Sequence, residues 1–207
     1  MKDSTLISFG YRARSGKDTA ASTILKQRGE NYSIDIIHFA KPLKQEVNEM
    51  AIAAGGMREL FNKLPYTVPD WVQYDPENPM DDPLCPLGKQ RALLQFHGTE
   101  FRRAQDEHYW TKKHAEAVEK TKARYVLVPD LRFPNEMEYV RSSHGVTIKV
   151  DRPGLPPATH ASETALEDVL DWDYILYNGS TLEEFQDSAV FLFDAIADES
   201  IGYGFGV

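Results

Sequence analysis

A short glycine-containing segment near the start of the chain has the residue types that bind phosphate. It reads Gly10-Tyr-Arg-Ala-Arg-Ser-Gly16-Lys17-Asp18-Thr19, and it follows an apolar β-prone run and precedes a helical pattern. Small residues in such a turn let backbone N–H groups surround a phosphate, and the helix N-terminus adds the positive end of its dipole. The amine of Lys17 would then reach the β- and γ-phosphates of a nucleotide. We expect the residues that bind the nucleotide to be Arg14, Ser15, Gly16, Lys17, Asp18 and Thr19.

The segment departs from the strict phosphate-loop pattern, G-x4-G-K-[ST], at two places. Tyr11 stands at the position of the first glycine, with Gly10 one residue earlier, and Asp18 replaces the hydroxyl residue. The alternative interpretation is a glycine turn followed by a solvated lysine. Mg²⁺ would bind here through the carboxylate of Asp18 or the hydroxyl of Thr19, and the sequence leaves both open.

A second candidate position lies where an apolar strand, Tyr125–Val128, runs into Pro129 and Asp130. Open α/β sheets bind their ligands at the carboxyl ends of strands, and a carboxylate there would order Mg²⁺ through water. The alternative for Asp130 is a helix cap or a turn aspartate. Arg132 is a candidate for gripping the acceptor or the transferring phosphoryl group. Its alternative is a surface arginine paired with Glu136.

Five segments occur in one order along the chain and are informative together. They are Ser15-Gly-Lys-Asp-Thr19, Phe39-Ala-Lys-Pro-Leu-Lys44, Gln95-Phe-His-Gly-Thr-Glu100, Asp130-Leu-Arg-Phe-Pro-Asn-Glu136 and His160-Ala-Ser-Glu163. In this combination the chain resembles the phage-type deoxynucleoside monophosphate kinases, a branch of the P-loop nucleoside-monophosphate kinase fold. The resemblance implies transfer of the γ-phosphoryl group of ATP, with Mg²⁺, to a deoxynucleoside 5′-monophosphate. The diphosphate product would serve phage DNA precursor supply.

The resemblance also implies roles for cations outside the loop. Similar kinases bind the monophosphate beyond the second strand, where Lys44 would contact its α-phosphate. Arg102 takes the place of the arginine expected after Gly-Thr-Glu, and its guanidinium would hold the acceptor phosphate with two hydrogen bonds. Arg152 opens the segment that acts as a lid in such kinases. We therefore expect Lys17, Arg132 and Arg152 to be the catalytic residues.

Simpler interpretations stay open for the acceptor site. Gln95 would read a base edge, or it is a helix-surface glutamine, and Lys44 would bind phosphate, or it is solvated at a helix start. We expect the acceptor to be bound by Lys44, Gln95, Arg102, Asp130 and Arg132. The expected metal ligands are Asp18, Thr19 and Asp130.

Strands that alternate with helices predict an α/β fold of the P-loop NTPase type. Its three layers would be a mostly parallel sheet with helices on both faces, with an inserted substrate-binding or cap region and a short lid. We expect a single domain over residues 1–207, with a core at about 1–40, 123–151 and 172–197. The insertion would cover about 41–122 and the lid about 152–163.

Local patterns predict several boundaries. The second strand is expected at Ile34–Phe39, and a helix at Leu43–Ala54. Six prolines between Pro65 and Pro86 predict a loop or cap over 62–88, and Gly98 divides two helical patterns at 89–97 and 99–122. Ser180-Thr-Leu-Glu183 predicts a capping box that opens the last helix, and 198–207 a loose tail.

The charge balance limits the classes of partner. The 207-residue chain carries a net charge of −9, which argues against a general nucleic-acid coat or a binder of anionic membranes. After Arg152 it has no Lys or Arg but eleven Asp or Glu residues, so an anion site must be built mostly before that point. We expect small nucleotides as partners, with no membrane and no stable nucleic-acid binding, and a homodimer is left open.

Cysteine usage and hydropathy indicate the compartment. The single cysteine, Cys85, cannot form an internal disulfide, and no run approaches the roughly 20 apolar residues of a membrane span. We expect the protein in the cytoplasm, or in the host cytoplasm if the chain is phage-encoded.

Two functional alternatives stay open. One is a P-loop kinase for another acceptor, such as a hydroxymethylated base in DNA or a small phosphorylated metabolite. The other is a non-catalytic nucleotide-binding module.

Overall fold

A parallel five-stranded sheet carries the glycine loop. The computed structural model describes residues 4–77, 82–83 and 85–202. Within them the strands are β1 (Thr5–Gly10), β2 (Ile34–Ile36), β3 (Tyr125–Leu131), β4 (Val146–Asp151) and β5 (Tyr174–Tyr177). Their spatial order is β2-β3-β1-β4-β5, and every neighbouring pair is parallel. The chain leaves β1 toward the edge of the sheet formed by β2, and it leaves β3 toward the opposite edge, where β4 and β5 lie. Ligands are expected at the carboxyl ends of adjacent strands whose connections diverge in this way.

Helices cover both faces of the sheet, which confirms the predicted α/β fold class. In chain order the helices are α1 (Lys17–Arg28), α2 (Ala40–Ala54), α3 (Met57–Asn62), α4 (Arg91–Gln95), a π-helix (Phe96–Arg103), α5 (Tyr109–Lys120), α6 (Pro134–Ser142), α7 (Ala161–Thr164) and α8 (Leu182–Gly202). Alternate residues of the strands face α1 and α8 on one side, while α6 lies against β1 and β4. None of the described helices has both the length and the hydropathy that a membrane span requires.

The chain divides into two compact units. The first comprises Met1–His38 and Ala117–Val207, and the second comprises Phe39–Glu116. The first unit buries strand and helix side chains that include Ile7, Phe9, Ile24, Tyr125, Ile148, Phe185 and Phe193. The second has its own apolar cluster, which includes Val47, Ala51, Leu60, Val72, Cys85 and Leu93.

Pro129 interrupts the hydrogen-bond ladder of β3. Ser8 of β1 pairs with Val128, but Gly10 pairs with Leu131, so two residues of β3 lie opposite one residue of β1. A proline has no N–H to donate, and inside a sheet it is tolerated at such an irregularity. The shift occurs just before the end of β3, and Asp130 is one of the two residues that lie opposite Phe9.

Three predicted boundaries are wrong for local reasons. β2 ends at Ile36 instead of Phe39, because Phe39 already has helical backbone angles and precedes α2. Pro42 is accommodated in the first turn of that helix, where no intrahelical N–H bond is lost.

Gly98 does not divide two helices, since the π-helix runs through it. Helix α8 continues to Gly202, so the expected tail at 198–207 starts too early; residues 203–207 lie outside the described part of the chain.

The proline-rich segment packs although it has no regular structure. Between α3 and α4 the described residues form neither helix nor strand, in agreement with the predicted loop, of which residues 78–81 and 84 lie outside the description. Val72 and Cys85 are buried, and the ring of Tyr66 stacks against Phe101 at a centroid distance of 4.3 Å. The aromatic side chains of the segment thus have packing partners within the second unit.

The capping box of α8 lies one residue later than predicted. The Thr181 hydroxyl accepts a hydrogen bond from the Glu184 N–H (3.3 Å), and the Glu184 carboxylate accepts one from the Thr181 N–H (3.1 Å). The bond from the Thr181 N–H, and secondly one from the Thr181 hydroxyl to the same carboxylate (3.0 Å), hold the pKa of Glu184 below its usual value. Ser180 and Glu183, the predicted pair, precede the two residues that close the box.

We expect Thr181→Ala to lower the free energy of unfolding by about 1 kcal/mol, the usual cost of losing an N-cap hydroxyl. Urea denaturation followed by circular dichroism measures the change. Glu183→Ala is the matched control, because it removes a side chain from the same first turn outside the box. Equal stability of the Thr181 variant and the wild type would contradict the assignment.

Candidate nucleotide-binding site

The loop between β1 and α1 has an unusual backbone. Tyr11, Arg14 and Gly16 have positive φ angles of 95°, 62° and 109°. Glycine adopts this region without penalty, whereas the other two residues cost roughly 1–2 kcal/mol each and must be held by their surroundings. Five residues separate Gly10 from Gly16, one more than in the strict phosphate-loop pattern, and the positive φ of Tyr11 lies at the start of this longer loop.

Lys17 is enclosed by the loop that precedes it. Only 4% of the residue is exposed, and its amine donates hydrogen bonds to the carbonyl oxygens of Tyr11 (3.3 Å) and Arg12 and to the Ser15 hydroxyl (3.4 Å). Burial, and secondly the positive charge of Arg132, lower the pKa of Lys17 to about 8. The alternative of a solvated lysine at a helix start is therefore wrong. The amine lies inside the turn of backbone that would surround a phosphate.

Packing explains why a glycine stands at position 10. A Cβ atom there would lie 2.5 Å from Cη2 and 2.8 Å from Cζ3 of Trp172. The indole is held in place by a hydrogen bond from its N–H to the Val169 carbonyl (3.0 Å). Gly10 is needed because the Trp172 ring packs directly against its Cα atom.

We expect Gly10→Ala to destabilise the chain by about 1–3 kcal/mol, the range for overpacking a filled site. In a Trp172→Leu background the same change should cost clearly less, because the ring that the methyl group meets has been removed. Urea unfolding of the four chains in this double-mutant cycle measures the coupling. Additive effects would show that Trp172 is not the cause.

Oxygen ligands suited to Mg²⁺ lie beside this lysine. Asp18 and Thr19 are in the first turn of α1, and Asp130 is near the end of β3, with one carboxylate oxygen 3.8 Å from the His38 Nδ1. The negative charges of Asp18 and Asp130 act on Lys17 and oppose the effect of burial on its pKa. Among the described residues no group of three or more His, Cys, Asp or Glu side chains forms a metal cage. The donors fit Mg²⁺, which commonly takes one or two carboxylates and completes its shell with water and substrate phosphates.

Two arginines of the first unit are held by backbone carbonyls. Arg152 donates from Nη1 to the Arg14 carbonyl (3.1 Å), so it contacts the loop directly. Arg132 donates from Nη1 to the Ser162 carbonyl (3.1 Å). The alternative interpretation, an ion pair between the Arg132 guanidinium and Glu136, is wrong. The Glu136 carboxylate instead accepts a hydrogen bond from the backbone N–H of Arg132, just before α6.

The expected acceptor-binding cations lie in the second unit, and each is paired. The amine of Lys44 is 2.7 Å from a carboxylate oxygen of Asp82, so this lysine is not simply solvated. Arg102 forms an ion pair with Glu46, and its guanidinium lies over the ring of Tyr109 at 5.1 Å. Gln95, at the end of α4, is half-buried.

A buried histidine adjoins the Glu46 carboxylate. His97 is 1% exposed; its Nδ1 shares a hydrogen bond with the Tyr66 hydroxyl (2.6 Å), and its Nε2 is 3.3 Å from a carboxylate oxygen of Glu46. That Nε2 has no hydrogen bond of acceptable geometry among the described residues. The Glu46 carboxylate is already paired with Arg102. Burial therefore has the largest effect on the imidazole, and it lowers the pKa of His97 to about 4. The imidazole is neutral at pH 7.

This neutral histidine makes stability pH-dependent. Between pH 6.5 and 4 the unfolded chain binds a proton at His97 and the folded chain does not, so stability falls as the pH falls through this window. The loss is expected to approach about 3 kcal/mol. Urea unfolding at pH 7 and pH 4.5 should show a smaller loss for His97→Asn than for the wild type. Identical losses would show that His97 is not the group responsible.

Sequence reasoning missed the neighbours that hold these residues. Glu46 and His38 are beside predicted site residues, but they carried no motif of their own. Asn178 is 163 residues from Ser15, yet its side-chain amide donates to the Ser15 carbonyl (2.7 Å). The one available signal was the position of Asn178 directly after an edge strand, which places it at the carboxyl end of the sheet.

Comparison with known proteins gives an independent indication of function. The family described as deoxynucleotide monophosphate kinase matches residues 89–189, a range that begins after the glycine loop. A protein of Acanthamoeba polyphaga mimivirus named "Putative deoxynucleotide monophosphate kinase" is 28% identical over 185 residues, which cover 83% of this chain and 86% of the relative. A solved structure of dephospho-CoA kinase from Campylobacter jejuni is 13% identical, with a TM-score of 0.49 over 97% of this chain and 100% of that one. The resemblance seen in the sequence is confirmed, and the chain is a nucleotide kinase, an enzyme of the phosphotransferase class.

Proposed function

We propose that this kinase transfers the γ-phosphoryl group of ATP to the 5′-phosphate of a deoxynucleoside monophosphate and releases the diphosphate. The observation that carries the proposal is the buried amine of Lys17, enclosed by the loop after β1 at the start of α1. Both the family description and the name of the mimivirus relative support a deoxynucleotide as acceptor.

The first unit would bind the donor. Backbone N–H groups of the loop at Arg14–Gly16 would surround the phosphates, with Lys17 on the β- and γ-phosphates. Arg152 contacts the loop, and the charge of Arg132 reaches Lys17, so both are suited to stabilise the charge of the transferring group. Positioning and charge neutralisation supply most of the catalysis in such transfers, because the protein forms no covalent bond with the substrate.

Asp18, Thr19 and Asp130 would hold Mg²⁺. When bound, the ion would neutralise part of the charge on the β- and γ-phosphates. The hydroxyl of Thr19 and the carboxylate of Asp18 both lie in the first turn of α1, where the helix dipole also favours the acidic side chain.

The second unit would bind the acceptor. Lys44 and Arg102 are each held by a carboxylate, from Asp82 and Glu46, which limits the conformations they sample without acceptor. A phosphate dianion would replace a carboxylate as the partner of each cation, and Arg102 offers the planar fork that binds phosphate with two hydrogen bonds. Gln95 would contact the base.

The viral origin of the mimivirus relative supports a role in supplying precursors for viral or phage DNA. Free nucleotides are the proposed substrates of both units. The reaction would therefore take place in the cytoplasm, that of the host if the chain is encoded by a phage.

The test is ADP release from ATP and Mg²⁺ against separate deoxynucleoside and ribonucleoside monophosphates, hydroxymethylated deoxynucleotides, modified DNA and small phosphorylated metabolites. We expect turnover with one or more deoxynucleoside monophosphates. Lys17→Ala should reduce it by at least about 100-fold, the scale of losing a preorganised charged group from a transition state. Lys26→Ala, which changes an exposed lysine of the same helix, is the matched control.

Each outcome of this assay has a distinct meaning. Turnover restricted to DNA or to a metabolite would replace the proposed acceptor. Near-normal activity of Lys17→Ala, with the fold retained by circular dichroism, would contradict the assignment of the loop.

A further inference from the structure

The corner between β5 and α8 reaches the nucleotide-binding loop through one side chain. The amide nitrogen of Asn178 donates a hydrogen bond to the Ser15 carbonyl (2.7 Å). The backbone N–H of Asn178 donates to the Asp151 carbonyl at the end of β4 (2.7 Å). Asn178 therefore connects the loop to the rigid end of the sheet.

The backbone of the loop is fitted closely to this contact. A Cβ atom on Gly16 would lie 2.6 Å from the Asn178 Nδ2 and 3.0 Å from the ring of Phe185, a residue of α8 that is 1% exposed. Gly16 also has the left-handed backbone that precedes α1. A side chain at position 16 would push the loop away from Asn178, so the glycine and the asparagine form a complementary pair.

We propose that Asn178 is a positioning residue that orients the Ser15–Gly16 peptide for binding of the ATP phosphates. In a trans peptide the C=O and N–H groups point in opposite directions. Because the Ser15 carbonyl is bound to Asn178, the Gly16 N–H points away from Asn178 and is kept available as a phosphate donor. The inference rests on the proposed function, in which this loop binds ATP.

The side chain of Asn178 is uncharged, so its role differs from that of the cations around the loop. Losing one neutral hydrogen bond lets the peptide rotate, and we expect ATP affinity to fall about 3- to 10-fold in Asn178→Ala, the range for one such bond. Asn178→Asp keeps the shape but turns a carboxylate toward the Ser15 carbonyl. Its loss of affinity should therefore exceed that of the alanine variant.

The experiment measures ATP binding with Mg²⁺ by isothermal titration calorimetry, the KM values for ATP and for the acceptor, and thermal unfolding. Gln186→Ala is the matched control, because the Gln186 side-chain amide donates a hydrogen bond of similar kind over the same sequence separation, but to the Thr23 hydroxyl of α1 (3.2 Å) and not to a loop carbonyl. We expect weaker ATP binding and a higher KM for ATP in both Asn178 variants. The KM for the acceptor should be unchanged, and the control should bind ATP like the wild type.

The result that overturns the proposal is wild-type ATP affinity in folded Asn178→Ala and Asn178→Asp. Equal weakening in Gln186→Ala, or an equal rise in both KM values, would also overturn it, because either would indicate a general structural role. A wild-type chain that binds no ATP would instead reject the proposed function, so the two failures are separated by which protein shows them.

Discussion

Burial of the Lys17 ammonium at the junction of β1 and α1 is the constraint that the surrounding structure satisfies. A lysine taken out of water must find polar partners, and here the partners are the carbonyls of Tyr11 and Arg12 and the hydroxyl of Ser15. To bring these oxygens inward the loop adopts positive φ angles, which only its neighbours can maintain. Trp172 over Gly10 and Asn178 against Gly16 hold the two ends of the loop.

The sheet brings a carboxylate to the same place. The strands β1 and β3 are adjacent, but their outgoing connections lead to opposite sides, which leaves their carboxyl ends open to a ligand. Pro129 interrupts the regular ladder of β3 two residues before the strand ends at Leu131. The charge of Asp130 consequently acts on Lys17, although 113 positions separate them in the sequence. Helix α1 contributes Asp18 from its first turn, so the lysine has acidic groups from two elements nearby.

Local patterns predicted the elements, and distant contacts explain most of the failures. The sequence predicts strands at Thr5–Phe9, Val146–Val150 and Tyr174–Tyr177 and a helix at Asp18–Arg28. The observed β1, β4, β5 and α1 lie close to these bounds, because each has an apolar pattern between clear turn residues. The π-helix through Gly98 could not be read from residue types, since glycine usually interrupts a helix. For the candidate site, the sequence predicted Lys17, Asp130 and Arg132 by type and spacing, and in the structure the charges of Asp130 and Arg132 act on Lys17. It could not identify Trp172 or Asn178, whose effect on the loop depends on a contact across the fold.

The acidic end of the chain helps to explain how a protein with a net charge of −9 would bind anions. Carboxylates beyond Arg152 form ion pairs with earlier arginines, as in Arg12–Glu167, Arg28–Asp194 and Arg141–Asp171. In contrast, the hydrogen bonds of Lys17, Arg132 and Arg152 described above go to uncharged oxygens, mainly backbone carbonyls. A carbonyl satisfies an N–H donor without cancelling the positive charge, whereas a carboxylate within 4 Å largely does. Lys17, Arg132 and Arg152 thus keep positive charge for a phosphate, whereas Arg12 of the same loop is paired with Glu167.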